Sequence, residues 1–377
     1  MSQTYLLYTA GDYIETPVTG GTKRFYELLE SLLETGNKVY LMAPKNINIP
    51  SKNNCRVLPI RTYHSRFVPD SLMNLLMNMK TFRKAKKLSV DRTILFSVPY
   101  GIQGVLAGFR RIVLLLREDL LEYNSYYSEK KDKLFNLRLL FYKFVERIVV
   151  KRVATIILQS EYDKYNLLSR HKNISDSIEK KILILSNNVN ASWMTSSRHL
   201  IRQKPVEPKD ELHLVFSGSM DTRRKGVEII LEAVKQLLQK GFSVKLSLLG
   251  DGKYRRIYEQ QYNGFVNIDF LGYQQNPLEF IAHADLLVVP SFADSCPNVI
   301  LEGLFLQIPV IGSNRGGIPE ILKYPELLFE PDVLSLKSKI EKIITGKQLE
   351  NIRQKCIERK KHFIFDWSTL LIQLINS

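Results

Sequence analysis

A chain of 377 residues with 45% hydrophobic content is long enough for two domains and apolar enough to give each a core. It has no run of about eighteen apolar residues and no basic-then-apolar start, so neither a membrane-spanning helix nor a signal peptide is expected. Cys55, Cys296 and Cys356 are scattered and the six histidines form no close pair, so no metal-ligand spacing arises and a reducing cytoplasm is expected.

The charge is uneven. Residues 1–205 hold 33 Lys and Arg against 17 Asp and Glu, whereas 206–377 hold 21 of each, so the whole net charge of +16 lies in the first half. Such a surplus suits nucleic acid, an anionic membrane surface or a phosphorylated acceptor. No helix-turn-helix, zinc-finger or RNA-recognition signature accompanies it, so nucleic acid is not expected.

Taken in order, Thr4–Ala10 reads as a first strand, followed by a loop with Thr19-Gly20-Gly21-Thr22-Lys23 and a helix to about Glu34. Strand, glycine pair and helix is a layout in which backbone can approach a phosphate, although glycines also serve tight turns alone. Strands follow at Lys38–Ala43 and Arg56–Ile60. Leu72–Leu88 reads as one helix whose end is crowded by Lys80, Arg83, Lys84, Lys86 and Lys87. Those cations either complement the helix dipole or form a patch for anionic lipid.

Buried strands are expected at Thr93–Ser97 and Arg111–Leu116, the second ending at Arg117-Glu118-Asp119, where α/β proteins place functional groups. Arg117 and Asp119 are therefore candidate functional residues, with a surface salt-bridge cluster as the plainer alternative. A long helix over Leu134–Val153, a strand at Ala154–Ser160 and a strand at Lys181–Ser186 lead to Asn187-Asn188-Val189-Asn190. The polar, proline-containing stretch Arg198–Asp210 reads as a linker.

The second half alternates strands and helices with short connections, the pattern of a doubly wound parallel sheet. After the strand Leu212–Phe216 comes Ser217-Gly218-Ser219-Met220-Asp221-Thr222-Arg223-Arg224-Lys225-Gly226, and then a helix. Cations at a helix start are disfavoured by its dipole, which argues for a bound phosphate. Further strands end at Gly250-Asp251-Gly252 and Leu271-Gly272-Tyr273. The strand Asp285–Pro290 is followed by a loop with Asp294 and Ser295, a helix opening at Pro297, a strand at Ile308–Ile311 and a helix start at Gly316-Gly317. Two helix N-termini with carboxylates nearby suit a ligand with both phosphate and hydroxyl groups, such as a nucleotide sugar.

Asp294-x7-Glu302 followed by Gly316-Gly317-Ile318-Pro319-Glu320 resembles the nucleotide-sugar site of retaining GT-B glycosyltransferases of the large family numbered four, also called group 1. The resemblance is best over Glu211–Leu322. It implies two facing Rossmann-like domains with a cleft between them: residues 1–205 on the acceptor side, 206–362 on the donor side, and 363–377 as a helix returning to the first domain. It further implies that Glu302 holds the ribose, Asp294 meets the transferred sugar, backbone near Tyr273 lies beside the base, and Gly20 and Gly21 face the diphosphate. Lys225 matches the family's diphosphate-gripping lysine. Ser219 stands where the family has arginine, so Arg223 or Arg224 must substitute, and the usual histidine near Arg117 is absent, which leaves Arg117 or Asp119 to contact sugar or acceptor in its place. Asp294 itself stands where the family usually has glutamate.

The expected reaction is retaining transfer from a UDP- or GDP-linked sugar to a glycan or lipid-linked acceptor of bacterial capsule, O-antigen or lipopolysaccharide. Arg224, Lys225 and Asp294 are the expected catalytic groups. Gly218, Ser219, Arg223, Ser295, Pro297, Asn298 and Val299 complete the donor site. The chain has no Asp-x-Asp, and neither a metal nor a cofactor is expected. The expected location is the cytoplasm, with peripheral contact at the anionic inner face of the plasma membrane. The alternatives are a non-catalytic nucleotide-sugar-binding scaffold subunit and a GT-B nucleotide-sugar epimerase.

Overall fold

The computed structural model describes residues 2–9, 20–44, 53–63, 70–117, 119, 121–122, 133–189, 195–204 and 210–377. Thr19 of the glycine loop, Glu118, Asn190 and residues 205–209 of the expected linker lie outside the described residues.

The chain forms two compact units, one of Met1–Leu121, Lys130–Leu185 and Trp367–Ser377, the other chiefly Ser186–Asp366. Among the described residues of the first unit, seven strands, β1 (Thr4–Tyr8), β2 (Lys38–Pro44), β3 (Cys55–Ile60), β4 (Arg92–Phe96), β5 (Ile112–Leu115), β6 (Thr155–Leu158) and β7 (Ile182–Ile184), form one sheet. Their order is β3-β2-β1-β4-β5-β6-β7 and every pairing is parallel, with Tyr5 opposite both Val39 and Arg92. Tyr5, Leu6, Leu7 and Tyr8 are all buried, because helices cover both faces and the strand is apolar on both sides.

The second unit repeats the design with β8 (Leu212–Ser217), β9 (Val244–Leu249), β10 (Ile268–Gly272), β11 (Leu286–Val289), β12 (Val310–Ser313) and β13 (Leu328–Phe329). The order β10-β9-β8-β11-β12-β13, again all parallel, reverses direction between β8 and β11. Ligands of open α/β sheets bind outside the carboxyl ends of strands at such a reversal.

Several sequence expectations need correction. The helix expected over Leu72–Leu88 is two, Asp70–Met77 and Met79–Lys86. At the break the buried Asn78 side chain accepts from Arg61 N and donates to Arg61 O and Asn74 O, each at 2.8 Å. Asn74 holds Tyr63 through both backbone groups in the same way. These amides tie the helices to the chain after β3, and their hydrogen bonds compete with a continuous helix.

Gly20–Lys23 are the first turn of the helix Gly20–Glu34 instead of a loop before it. The boundary expected at 205/206 falls after Leu185. Asn187, Asn188 and Val189 bond to Cys296, Phe365 and Phe363, so this turn belongs to the second unit. Nor is Arg198–Lys204 a linker. Thr195–Leu200 is a 3₁₀ helix, Arg202 bonds to Leu306 O and Ala284 O, and Arg353 donates to Arg202 O.

The terminal helix starts at Trp367 instead of 363, after a separate turn at Lys361–Phe363. It packs within the first unit: Asn376 donates to the Tyr5 hydroxyl, Arg92 donates to Ile375 O, and Arg24 and Arg117 lie over the Trp367 ring.

Candidate functional site

The reversal in the second unit is lined by backbone in close contact. Gly218, following β8, donates its N–H to Leu249 O, and Gly250 donates to Gly272 O, so the carboxyl ends of β8, β9 and β10 are stitched together. Gly250 has φ +127°, and a Cβ there would lie 1.9 Å from Gly218 O. No side chain fits between these turns.

The turn Arg223–Lys225 then folds onto the loop after β11. Phe292 N donates to Arg224 O at 2.8 Å, and the Arg224 guanidinium donates to Ala293 O at 2.6 Å. Gly226 makes this contact possible: at φ +68° its missing Cβ would sit 2.0 Å from Pro290 O. From the other side Gly317 N donates to Asp294 O at 2.9 Å. The backbone around Asp294 is therefore clamped between two turns.

Its side chain meets two cations. Lys225 Nζ donates to Asp294 Oδ2, and Arg224 Nη1 lies 3.7 Å from the same oxygen. Four residues later the helix Asn298–Leu306 begins, with Pro297 as its extended N-cap, one place earlier than the first helical position expected for it. The first N–H groups of a helix have no intrahelical acceptor. Two cations, one carboxylate and a helix N-terminus thus share the carboxyl side of β8 and β11, suited to a ligand bearing phosphate and hydroxyl groups.

Of the expected residues, the structure brings Arg224, Lys225 and Asp294 together, with Ser295, Pro297, Asn298 and Val299 continuing from Asp294 into the helix. Glu302 lies farther along that helix and is half-buried. Gly218 lies beside the Lys225 stem, a Cβ there falling 3.8 Å from Lys225 Cδ. Ser219 is engaged locally: its hydroxyl donates to Asp221 Oδ2 at 2.8 Å and accepts from Asp221 N. Arg223 turns away from Asp294 to Glu228 at 3.2 Å and the Tyr254 ring, so of the two neighbouring arginines Arg224 is the one at the carboxylate. Tyr273 follows β10 and is exposed.

Gly20 and Gly21, Arg117 and Asp119 belong to the first unit. Arg117 lies 5.8 Å from the Trp367 ring centroid, and Asp119 is salt-bridged to Arg170. Asp119 is half-buried with its side chain turned inward, so the pair lies largely beneath the surface where a surface cluster was considered from sequence.

Sequence reasoning missed two groups. Asn187 donates to Cys296 O at 2.9 Å and Asn298 Oδ1 at 2.8 Å, bracing the start of the helix; only its place in an asparagine-rich turn could have flagged it. Glu146 receives Arg170 through both oxygens at 3.1 Å and His171 Nε2 at 2.8 Å. Burial raises the Glu146 pKa, but the His171 hydrogen bond and the Arg170 charge outweigh it and hold the carboxyl below its ordinary 4.5. No spacing singles this carboxylate out of the charged helix Lys133–Arg152.

The two reversed parallel sheets define the GT-B fold, and the likeness to solved structures runs over the whole chain. HepE of Anabaena, solved in complex with UDP and glucose, matches with a TM-score of 0.70 at 15% identity, covering 100% of both chains. Residues 211–346 match the family described as Glycosyl transferases group 1. An uncharacterized glycosyltransferase, MJ1059 of Methanocaldococcus jannaschii, is 27% identical over 207 residues, 54% of this chain and 49% of its own. The capsular polysaccharide biosynthesis glycosyltransferase CapM of Staphylococcus aureus is 22% identical over 216 residues, 54% of this chain and 56% of its own. The chain thus spans about half the length of these two curated relatives.

Proposed function

We propose that the protein transfers a sugar from a nucleoside diphosphate to an acceptor hydroxyl with retention at the anomeric carbon. The observation that carries this reading is the Arg224–Lys225–Asp294 cluster beside the N-terminus of Asn298–Leu306. Departure of the diphosphate leaves negative charge, which Lys225, Arg224 and the helix N–H groups are placed to stabilise without a metal. Asp294 orients the sugar hydroxyls, Glu302 the ribose, and backbone near Tyr273 the base.

UDP is the favoured leaving group, since the similarly folded HepE binds it. A glycan or lipid-linked acceptor in bacterial surface polysaccharide assembly is supported by the likeness to CapM and by the basic first half of the chain. This chemistry belongs at the cytoplasmic face of the membrane.

Ser219 is spent on Asp221, and that observation favours a second reading, a subunit that binds the donor without transferring it. Thermal shifts with UDP, GDP and ADP, for wild type and Glu302→Ala, test the shared premise. A ligand at a hundred times its dissociation constant adds about 2.7 kcal/mol. No shift with any nucleotide would end both readings. A UDP shift with sugar transfer to a lipid-linked acceptor supports the first, a shift with neither transfer nor hydrolysis the second, and sugar isomerisation without acceptor would make the protein an epimerase.

A further inference from the structure

The first unit carries an apolar face that no part of the proposed chemistry uses. In the helix Lys133–Arg152, Leu137, Leu140, Phe141 and Phe144 are 62%, 64%, 49% and 60% exposed. Their spacing of i, i+3, i+4 and i+7 puts all four on one stripe. Arg138 and Lys143 are also exposed and fall about 100° to either side of it at 3.6 residues per turn.

The stripe continues into a groove. Phe141, Tyr142 and Val145 form one wall, Leu72 and Leu75 another, and Ile102 and Leu106 contribute from the helix Val98–Ala107, around a volume of about 390 Å³. That is within the size of small-molecule pockets. Leu72 and Leu106 of this lining are exposed, as are Leu76 and Met77 of the same helix as Leu72 and Met79 of the next. Among the described lining residues, Asp70 is the one carboxylate.

The helix that follows Asp70–Met77 in the chain is cationic. The helix Met79–Lys86 exposes Lys80, Arg83, Lys84 and Lys86, with Lys87 next, and residues 79–90 contain no acid. Glu146, the one carboxylate of the helix Lys133–Arg152, is buried against Arg170 and His171. An apolar stripe flanked by Lys and Arg is the geometry of a helix lying in a lipid interface. A second copy of the chain fits poorly, because a two-fold contact would bring like charges together.

We propose that this face docks on an anionic membrane surface, with Leu137, Leu140, Phe141 and Phe144 entering the headgroup–acyl boundary and a lipid chain entering the groove. Leu76 and Met77 widen the apolar contact, and Lys80, Lys84 and Arg138 bind headgroup phosphates. The proposal deepens the membrane location given above but not its chemistry. Vesicle binding is read without donor or acceptor, so the two can fail separately.

The experiment is co-sedimentation of the full chain with phosphatidylglycerol–phosphatidylcholine vesicles and with phosphatidylcholine alone. Binding is expected to the anionic vesicles and to weaken with salt. Lys80→Glu and Lys84→Glu should each lower partitioning by about fivefold or more. Leu140→Asp/Phe144→Asp, at exposed positions, should abolish partitioning with the thermal midpoint unchanged. Phe141→Trp should fluoresce further to the blue on binding and be quenched by lipids brominated on their chains.

Equal partitioning of the double variant, or binding that ignores vesicle charge, would overturn the docking surface. Binding without chain-bromine quenching would overturn the groove's role. A dimer in sedimentation velocity that the double variant abolishes would assign the face to a second copy instead.

Discussion

Asp294→Asn tests whether the cluster is built for a diphosphate, and the expected sign is not obvious. Lys225 is bound to Asp294, their side chains being 19% and 14% exposed, so a diphosphate must draw this lysine from an existing partner. At an effective dielectric of about 20, unit charges about 4 Å apart attract by roughly 4 kcal/mol. Desolvation and side-chain ordering leave about 1 kcal/mol of net coupling in such pairs. Asparagine releases Lys225, and also Arg224 at 3.7 Å, for the diphosphate. UDP should then bind about fivefold more tightly, while sugar transfer falls because the group facing the sugar is altered. Lys225→Ala removes a charge-assisted contact and should weaken UDP by tenfold or more. Isothermal titration calorimetry on both variants at one salt concentration decides the matter. If Asp294→Asn weakens UDP as Lys225→Ala does, the competition described here is wrong.

Gly226→Ala should cost about 1–2 kcal/mol in left-handed backbone strain alone, and more because its Cβ would lie 2.0 Å from Pro290 O; a lowered thermal midpoint together with a lost UDP shift would show that the turn had moved. Glu146 has a lowered pKa in the folded state, so its contribution to stability is full above its unfolded value and is lost as pH falls through the folded one. Glu146→Gln should destabilise by about 3 kcal/mol at neutral pH, since it leaves Arg170 under-compensated, and should flatten that acid segment of a midpoint-versus-pH curve. Asn78→Ala removes three hydrogen bonds of a buried amide and should cost about 2 kcal/mol in urea unfolding. Burial pushes the Cys356 thiol up to about 12, so in the native protein a thiol reagent at pH 8 should label the half-buried Cys55 well before Cys356, which should react on unfolding.

The sheets were legible because their strands are short apolar runs between turn residues, and such runs need no distant partner to be recognised. Leu286–Val289 and Val310–Ser313 fall within a residue or two of their expected places for that reason. The ordered stretch from β11 to Gly317 was legible too, because a strand end, a proline-opened helix and a glycine pair are local signals. What sequence could not show were decisions made by contacts across the chain. The helix through Asn78 breaks because its amide holds Arg61, seventeen residues away. Arg198–Lys204 looks like a linker by composition, yet Arg202 is fixed by Ala284, Leu306 and Arg353.

The candidate site shows the same division at finer grain. The run Arg223-Arg224-Lys225 pointed to a phosphate, but its three cations were interchangeable on paper. Gly226 separates them: its left-handed turn presses Arg224 onto Ala293 and Lys225 onto Asp294, while Arg223 goes to Glu228 and Tyr254. Which cation meets the carboxylate is therefore set by a residue that carries no charge at all.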